Sequence, residues 1–283
     1  VVQRSLERRR PFHGDLAVVL DERSFTYATA MHPLTANLSL YSIANLPRVG
    51  VAWDFYLLDD LANANLPPHK LYLFLDAFKL DDAQRAMVRS RLKREGATAV
   101  WIYAPGLYGE SASGIGFIRD LTGIAVERLP WGKPLRVTSP DGVVLAGDDT
   151  AVDPVFVAQD PQAEVLGVLA GTDQPALVRL RANGWTSIFS STPRLTPDTL
   201  RRLARDAGCH VYLETGDALY VDNRFMCVHA STEGDKVLSL RTPARASVVF
   251  GAGPPRVVGN RLRLLMETNA TVVLELEEPD TGR

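Results

Sequence analysis

Five carboxylates, Asp21, Glu22, Asp59, Asp60 and Asp76, stand just past the ends of short apolar runs, and Ser24, Tyr103 and Gly106 occupy matching places beside them. If the runs are parallel strands, these residues share one rim, the carboxyl edge where open α/β sheets bind their ligands. Carboxylates converging there would hold a metal ion or the hydroxyls of a sugar. Asp is also an ordinary helix cap and turn residue, and that structural role is the plainer reading of the same positions.

The segment Tyr103-Ala-Pro-Gly106-Leu-Tyr-Gly109 follows a buried run, where a nucleophile elbow would place a Ser or Cys on a strained strand-to-helix turn. Its central position is Gly106, which carries no nucleophile, so the turn offers no acyl-transfer chemistry. Ser111, Ser113, Gly114 and Gly116 precede a helical pattern, and a helix N-terminus attracts anions. The spacing is neither a dinucleotide fingerprint nor a P-loop, and a plain loop accounts for it. The five histidines, His13, His32, His69, His210 and His229, show no metal-ligand spacing. His210 and His229 fall in strand-like runs as structural residues. Of Trp53, Trp101, Trp131 and Trp185, any could form a sugar platform, but Trp101 and Trp185 stand in or beside apolar runs and read as core. The two cysteines, Cys209 and Cys227, read as buried thiols, with a disulfide between them left open. No cofactor is indicated.

The elements needed to position this rim are legible. Leu16–Leu20, Lys70–Leu75 and Thr98–Tyr103 are continuous apolar runs suited to parallel strands covered on both faces. Trp53–Leu58 and Trp185–Ser190 add strands, and His210–Leu213 reads as another. Leu34–Leu46 has helical spacing. Leu80–Glu95 does so more clearly, with Asp81 and Gln84 as a capping box and Gly96 as the stop; Arg89, Arg91, Lys93 and Arg94 in its last turns read as exposed residues favoured by the helix dipole. A helix from Ile115 to Thr122-Gly123 follows. After an interruption beginning near Pro130, Thr196 caps a helix with Pro197 in its first turn, and Gly208 ends it. This order predicts an α/β fold, a flavodoxin-like doubly wound parallel sheet. From Gly216 the pattern becomes short strands joined by Asp222-Asn223, Gly234-Asp235 and Gly259-Asn260, which predicts a small antiparallel β domain.

The chain has 283 residues, enough for two domains, with 46% hydrophobic and 23% charged residues. Its formal net charge of -2 and lack of a basic stripe argue against nucleic acid. The cluster Arg4, Arg8, Arg9 and Arg10 reads as a solvated segment. No apolar stretch is long enough to span a bilayer, so no membrane is expected and the chain reads as soluble, with the cytoplasm favoured. Residues 1–14 read as a linker or the tail of an upstream domain, 15–215 as the α/β domain and 216–283 as the β domain.

Three phrases carry a resemblance: Val51-Ala-Trp-Asp-Phe-Tyr-Leu-Leu-Asp-Asp-Leu61, Lys70-Leu-Tyr-Leu-Phe-Leu-Asp-Ala-Phe78 and Val100-Trp-Ile-Tyr-Ala-Pro-Gly106. Together they resemble the region after the catalytic barrel in family 42 β-galactosidase-like glycoside hydrolases, the trimerisation domain. That domain is similar in fold to class I glutamine amidotransferases without their catalysis. Gly216-Asp-Ala-Leu-Tyr-Val221 and Phe225-Met-Cys-Val-His-Ala230 resemble the small β domain that follows it. The resemblance covers the chain from about Asp15 onward. It implies an accessory region with roles in carbohydrate metabolism: homo-oligomerisation, as a trimer, and walling a site built on an upstream (β/α)8 barrel whose two glutamates perform hydrolysis. It assigns no catalytic residue and no metal to this chain. The rival readings are a sugar or nucleotide site at the rim, and a stand-alone hydrolase using the rim carboxylates.

Overall fold

The computed structural model describes residues 12–29, 32–182, 184–251 and 253–277. The arginine cluster before residue 11 lies outside them. The described chain forms two compact units. The larger comprises Leu16–Ala44 and Asp54–Thr199. The smaller collects Asn45–Trp53 and the chain from Leu200 onward, with the described residues just before Leu16.

In the larger unit, β1 (Leu16–Leu20), β3 (Leu71–Phe74), β4 (Thr98–Ile102) and β11 (Trp185–Ser190) run parallel, with Val18 beside Leu73, Leu73 beside Val100 and Val100 beside Ile188. β1 and β3 are buried at every position, as expected for parallel strands covered on both faces. Trp101, fully buried, stacks on Phe74 at 4.3 Å and donates its indole N–H to Ser187 Oγ at 3.0 Å. Trp185 meets it edge-on at 6.4 Å, so both tryptophans serve packing.

The α/β class holds, but the sheet is mixed and not wholly parallel. Beyond β11 it continues antiparallel through β10 (Pro175–Ala182), β9 (Glu164–Leu169), β6 (Pro134–Thr138) and β7 (Val144–Ala151), while β2 (Trp53–Leu57) flanks β1. The stretch read as an interruption thus extends the sheet by hairpins. β5 (Val126–Leu129) and β8 (Val155–Ala158) pair separately.

Helix Asp82–Glu95 begins as its sequence predicts. Asp81 Oδ1 accepts Gln84 N–H at 2.7 Å, Gln84 Oε1 accepts Asp81 N–H at 3.0 Å, and Gly96 ends it in the left-handed region. Its arginines are not all exposed. Arg91 is buried, paired with Glu95 at 2.9 Å, and donates to Tyr72 Oη and to the carbonyls of Leu61, Asn63 and Leu66. Those carbonyls need a donor with several N–H groups, which Arg supplies. The helix expected over Leu34–Leu46 is broken up: α-helical at Pro33–Ala36, a π turn at Asn37–Tyr41, α-helical at Ser42–Asn45 and 3-10 at Leu46–Val49. Ser39 and Ser42 hydroxyls donate back to the carbonyls of Thr35 and Asn37, which loosens the regular ladder.

The smaller unit holds two antiparallel sheets. One is β12 (Ala218–Val221), β13 (Phe225–His229), β18 (Thr271–Glu277) and β15 (Arg245–Phe250), and the other is β14 (Gly234–Ser239), β17 (Arg261–Met266) and β16 (Arg256–Val258). Leu219, Met226, Val228, Leu238, Leu262 and Leu274 are core residues of this unit. Burying one such side chain is worth about 1.5–3 kcal/mol. Lys236 and Asp217 form a buried ion pair at 2.9 Å, with Thr215 Oγ1 and Ser231 N–H also donating to Asp217. Residues His210–Leu213, expected as a strand, make only single bridges, Val211 to Val51 and Leu213 to Leu238. The Asn45–Trp53 segment is bound tightly here. Arg201 donates to Val49 O at 2.9 Å, and Tyr212 N–H donates to Gly50 O at 2.8 Å. Gly50 has φ 75°, and a Cβ there would lie 1.9 Å from Leu213 O, so only glycine fits. Cys209 is buried and Cys227 half-buried, and no disulfide joins them.

Candidate functional site

The loops after β1 and β3 are stapled by Asp21, Ser24 and Asp76. Asp76 Oδ1 accepts Asp21 N–H at 2.9 Å. Ser24 Oγ donates to Asp21 Oδ2 at 2.7 Å and accepts the N–H groups of Phe78 and Lys79, each at 2.9 Å. Both carboxylates are buried. Asp76 Oδ2 has no partner among the described residues, and burial, reinforced by the charge of Asp21, pushes the Asp76 carboxyl up to about 7 against the opposing backbone hydrogen bonds.

The other acidic residues have separate tasks. Glu22 is exposed. Asp59 Oδ1 accepts from Arg23 at 2.9 Å and from Gln84 at 3.0 Å. Asp60 Oδ2 accepts Leu57 N–H at 2.8 Å and caps a 3-10 turn. Among the described residues, no three His, Cys, Asp or Glu side chains gather in a group suited to a metal ion.

At the exit of β4 the strained residue is Tyr103, three positions before the glycine singled out from the sequence. Tyr103 has φ 67°, unusual for a bulky residue, whereas Gly106 at φ 68° is in an ordinary glycine conformation. Gly106 instead gives close packing: a Cβ there would meet Leu121 Cδ2 at 3.1 Å and Phe117 O at 3.4 Å. The Tyr103 hydroxyl donates to Pro154 O at 2.6 Å, and burial pushes the phenol far above its usual range. Its ring is packed edge-on against Phe156 at 5.4 Å and Phe78 at 6.2 Å. A committed, protonated phenol does not act as a nucleophile, so the elbow position carries packing in place of chemistry.

Beside Tyr103 lies a cavity of about 410 Å³. Tyr27, Phe78, Tyr103, Tyr108 and Phe156 give it aromatic walls, and Arg128, Asp153 and Ser113 give it polar ones. Tyr27 and Tyr108 are paired, with ring centroids 4.8 Å apart. No tryptophan lines it among the described residues. Of the rim residues named from the sequence, only Tyr103 reaches it. The other lining residues come from segments far apart in the chain, with Tyr27 at the end of a 3-10 turn, Phe78 after β3, Tyr108 after β4, Arg128 on β5 and Phe156 on β8, so no local spacing marks them together. The Ser-Gly loop contributes Ser113 and Gly114, and helix Ile115–Thr122 starts at Gly114 without a side-chain cap.

No helix of the described chain is long and apolar enough to cross a membrane. No family model matches the chain. No curated protein matches it by sequence. Solved structures do match by fold. A catalytic mutant of Gan42B, a GH42 β-galactosidase from G. stearothermophilus, superposes with a TM-score of 0.66 at 15% identity, covering 94% of this chain and 40% of that one. A β-galactosidase from Bacillus circulans sp. alkalophilus gives 0.63 at 13% identity, covering 93% and 41%. An α-L-fucosidase isoenzyme 2 from Paenibacillus thiaminolyticus gives 0.56 at 10% identity, covering 94% and 49%. The likeness is one of fold, and this chain spans less than half the length of these neighbours.

Proposed function

We propose that this chain is a non-catalytic accessory region of a β-galactosidase-like glycoside hydrolase. Its larger unit is a flavodoxin-like, class I glutamine amidotransferase-like layer without the amidotransferase nucleophile, and its smaller unit is the β domain that accompanies it. The accessory reading places it beside a catalytic (β/α)8 barrel and gives it a part in homotrimer formation.

One observation carries the reading: nearly the whole chain superposes on glycoside hydrolases, yet fills only about 40% of the β-galactosidases. Such a fold is a portion of a longer enzyme. The local geometry agrees. Glycoside hydrolysis needs two facing carboxyl groups, one of them free to donate a proton to the leaving oxygen. Here Asp21 and Asp76 are buried in loop staples, and Asp59 and Asp60 hold an arginine, a glutamine and a turn.

The test is turnover of aryl-galactosides by this chain alone. None is expected. Robust turnover abolished by Asp21→Asn or Asp59→Asn would overturn the accessory reading in favour of a stand-alone hydrolase. Light scattering behind size exclusion tests association, with a trimer expected and a strict monomer counting against it.

A further inference from the structure

The cavity beside Tyr103 combines features that the accessory role does not require. Its aromatic side chains fall into two groups, the Tyr27–Tyr108 pair and Tyr103 with Phe78 and Phe156 against it. Tyr27 is 44% exposed and Tyr108 is half-buried, so this pair of rings is reached by solvent. Its polar part is a balanced pair of charges. Arg128 is exposed and makes no hydrogen bond or ion pair among the described residues. Asp153 accepts Trp131 N–H through Oδ1 at 2.6 Å and has no partner at Oδ2 among the described residues.

We propose that this cavity is a binding site for a neutral pyranoside, with the sugar ring against Tyr108 and Tyr27 and its hydroxyls shared between Arg128 and Asp153. The size fits, since small-molecule sites span about 300–1,000 Å³. A pyranose has one apolar C–H face, which suits an aromatic wall, and hydroxyls that both donate and accept. Arg128 only donates and an ionised Asp153 only accepts, so a diol satisfies both together. A phosphate would gain from Arg128 and be repelled by Asp153; an ammonium group would meet the reverse. A flat apolar ligand would strip water from both charges and return nothing. Because the Tyr103 hydroxyl is held by Pro154, the floor contributes contact area, and the site binds without reacting.

This site rests on the cavity's own residues and goes beyond the accessory reading. The experiment is saturation-transfer NMR and calorimetry on the 283-residue chain with methyl β-D-galactopyranoside, methyl β-D-glucopyranoside and lactose, and with inorganic phosphate as the anionic probe. At least one sugar is expected to bind with a Kd in the millimolar range or tighter. Arg128→Ala and Tyr108→Ala are each expected to weaken it about tenfold or more, since loss of a charged hydrogen bond or a stacking face has that size. Tyr108→Phe keeps the ring and retains binding, and it preserves the test if Tyr108→Ala fails to fold. Silence from all three sugars, binding indifferent to Arg128→Ala and Tyr108→Ala, or phosphate binding without sugar binding would each overturn the proposal. Aryl-galactoside turnover would instead overturn the accessory reading, so the two fail separately.

Discussion

Asp76 and Asp21 meet through one oxygen: Asp76 Oδ1 accepts the Asp21 backbone N–H at 2.9 Å, while the buried Oδ2 has no partner among the described residues. A carboxylate so placed has lost water on one side and gained a single bond on the other. Protonation relieves it, which is why its carboxyl is pushed up to about 7, with burial the leading cause. Because the folded value lies above the unfolded one, the folded state holds the extra proton. Stability from this group is therefore full below about pH 4 and declines as pH rises from about 4 to about 7. Asp76→Asn removes the titration. Urea unfolding is expected to show the variant about 1–3 kcal/mol more stable than the parent at pH 8, with the difference shrinking toward pH 5. An equal difference at both pH values would contradict it.

Gly106 and Gly171 both have positive φ in the larger unit, but only Gly106 is crowded. A left-handed Ala costs about 1–2 kcal/mol. Gly171→Ala is expected to lose about that much, since nothing lies within 4 Å of its added methyl. Gly106→Ala is expected to lose about 1 kcal/mol more, because Leu121 and the helix carrying it must shift. Melting of the two variants side by side checks the order.

Lys236 and Asp217 are nearly inaccessible to solvent, at 3% and 1% side-chain exposure. Burial alone would raise the Asp217 carboxyl, but bonds from Thr215, Lys236 and Ser231 outweigh it and hold it below the usual range. Lys236→Met strands the carboxylate and is expected to cost about 3–5 kcal/mol. Lys236→Met with Asp217→Leu removes both charges and should recover part of the loss in denaturant unfolding. No recovery would show that the pair's other hydrogen bonds, and not its charge, dominate.

Arg91→Met keeps the apolar stem and removes the donors to the carbonyls of Leu61, Asn63 and Leu66. Leaving such buried acceptors unmet is expected to cost about 2–4 kcal/mol. Hydrogen exchange should rise first in residues 58–67, which the guanidinium holds.

Much of the framework was legible because it is written locally. Apolar runs such as Leu16–Leu20 need no partner to be recognised, and the Asp81–Gln84 box is a four-residue signal. The antiparallel strands from Pro134 to Ala182 are masked in the sequence by strand-poor residues within them, such as Gly147, Asp148 and Asp149 in β7. The buried state of Arg91 was illegible for a different reason: the carbonyls of Leu61, Asn63, Leu66 and Pro67, on a turn distant in sequence, decide it. The candidate site divides the same way. Tyr103 is marked in the sequence by the end of a strand-like run, whereas Tyr27, Arg128 and Asp153 are joined to it only by the folded path of the chain. That Tyr103 takes the left-handed conformation after β4 depends on packing that sequence spacing does not encode.

The smaller unit joins Asn45–Trp53 to residues beyond Leu200 through Arg201, Tyr212 and the glycine contact at position 50. A ribosome releases the first of these segments long before it makes the second. At about 5–20 residues per second, Val49 and Gly50 wait on the order of ten seconds for their partners. During that interval the contacts to Arg201 and Tyr212 are not yet made. A cut near residue 200 would separate Val49 and Gly50 from these partners permanently.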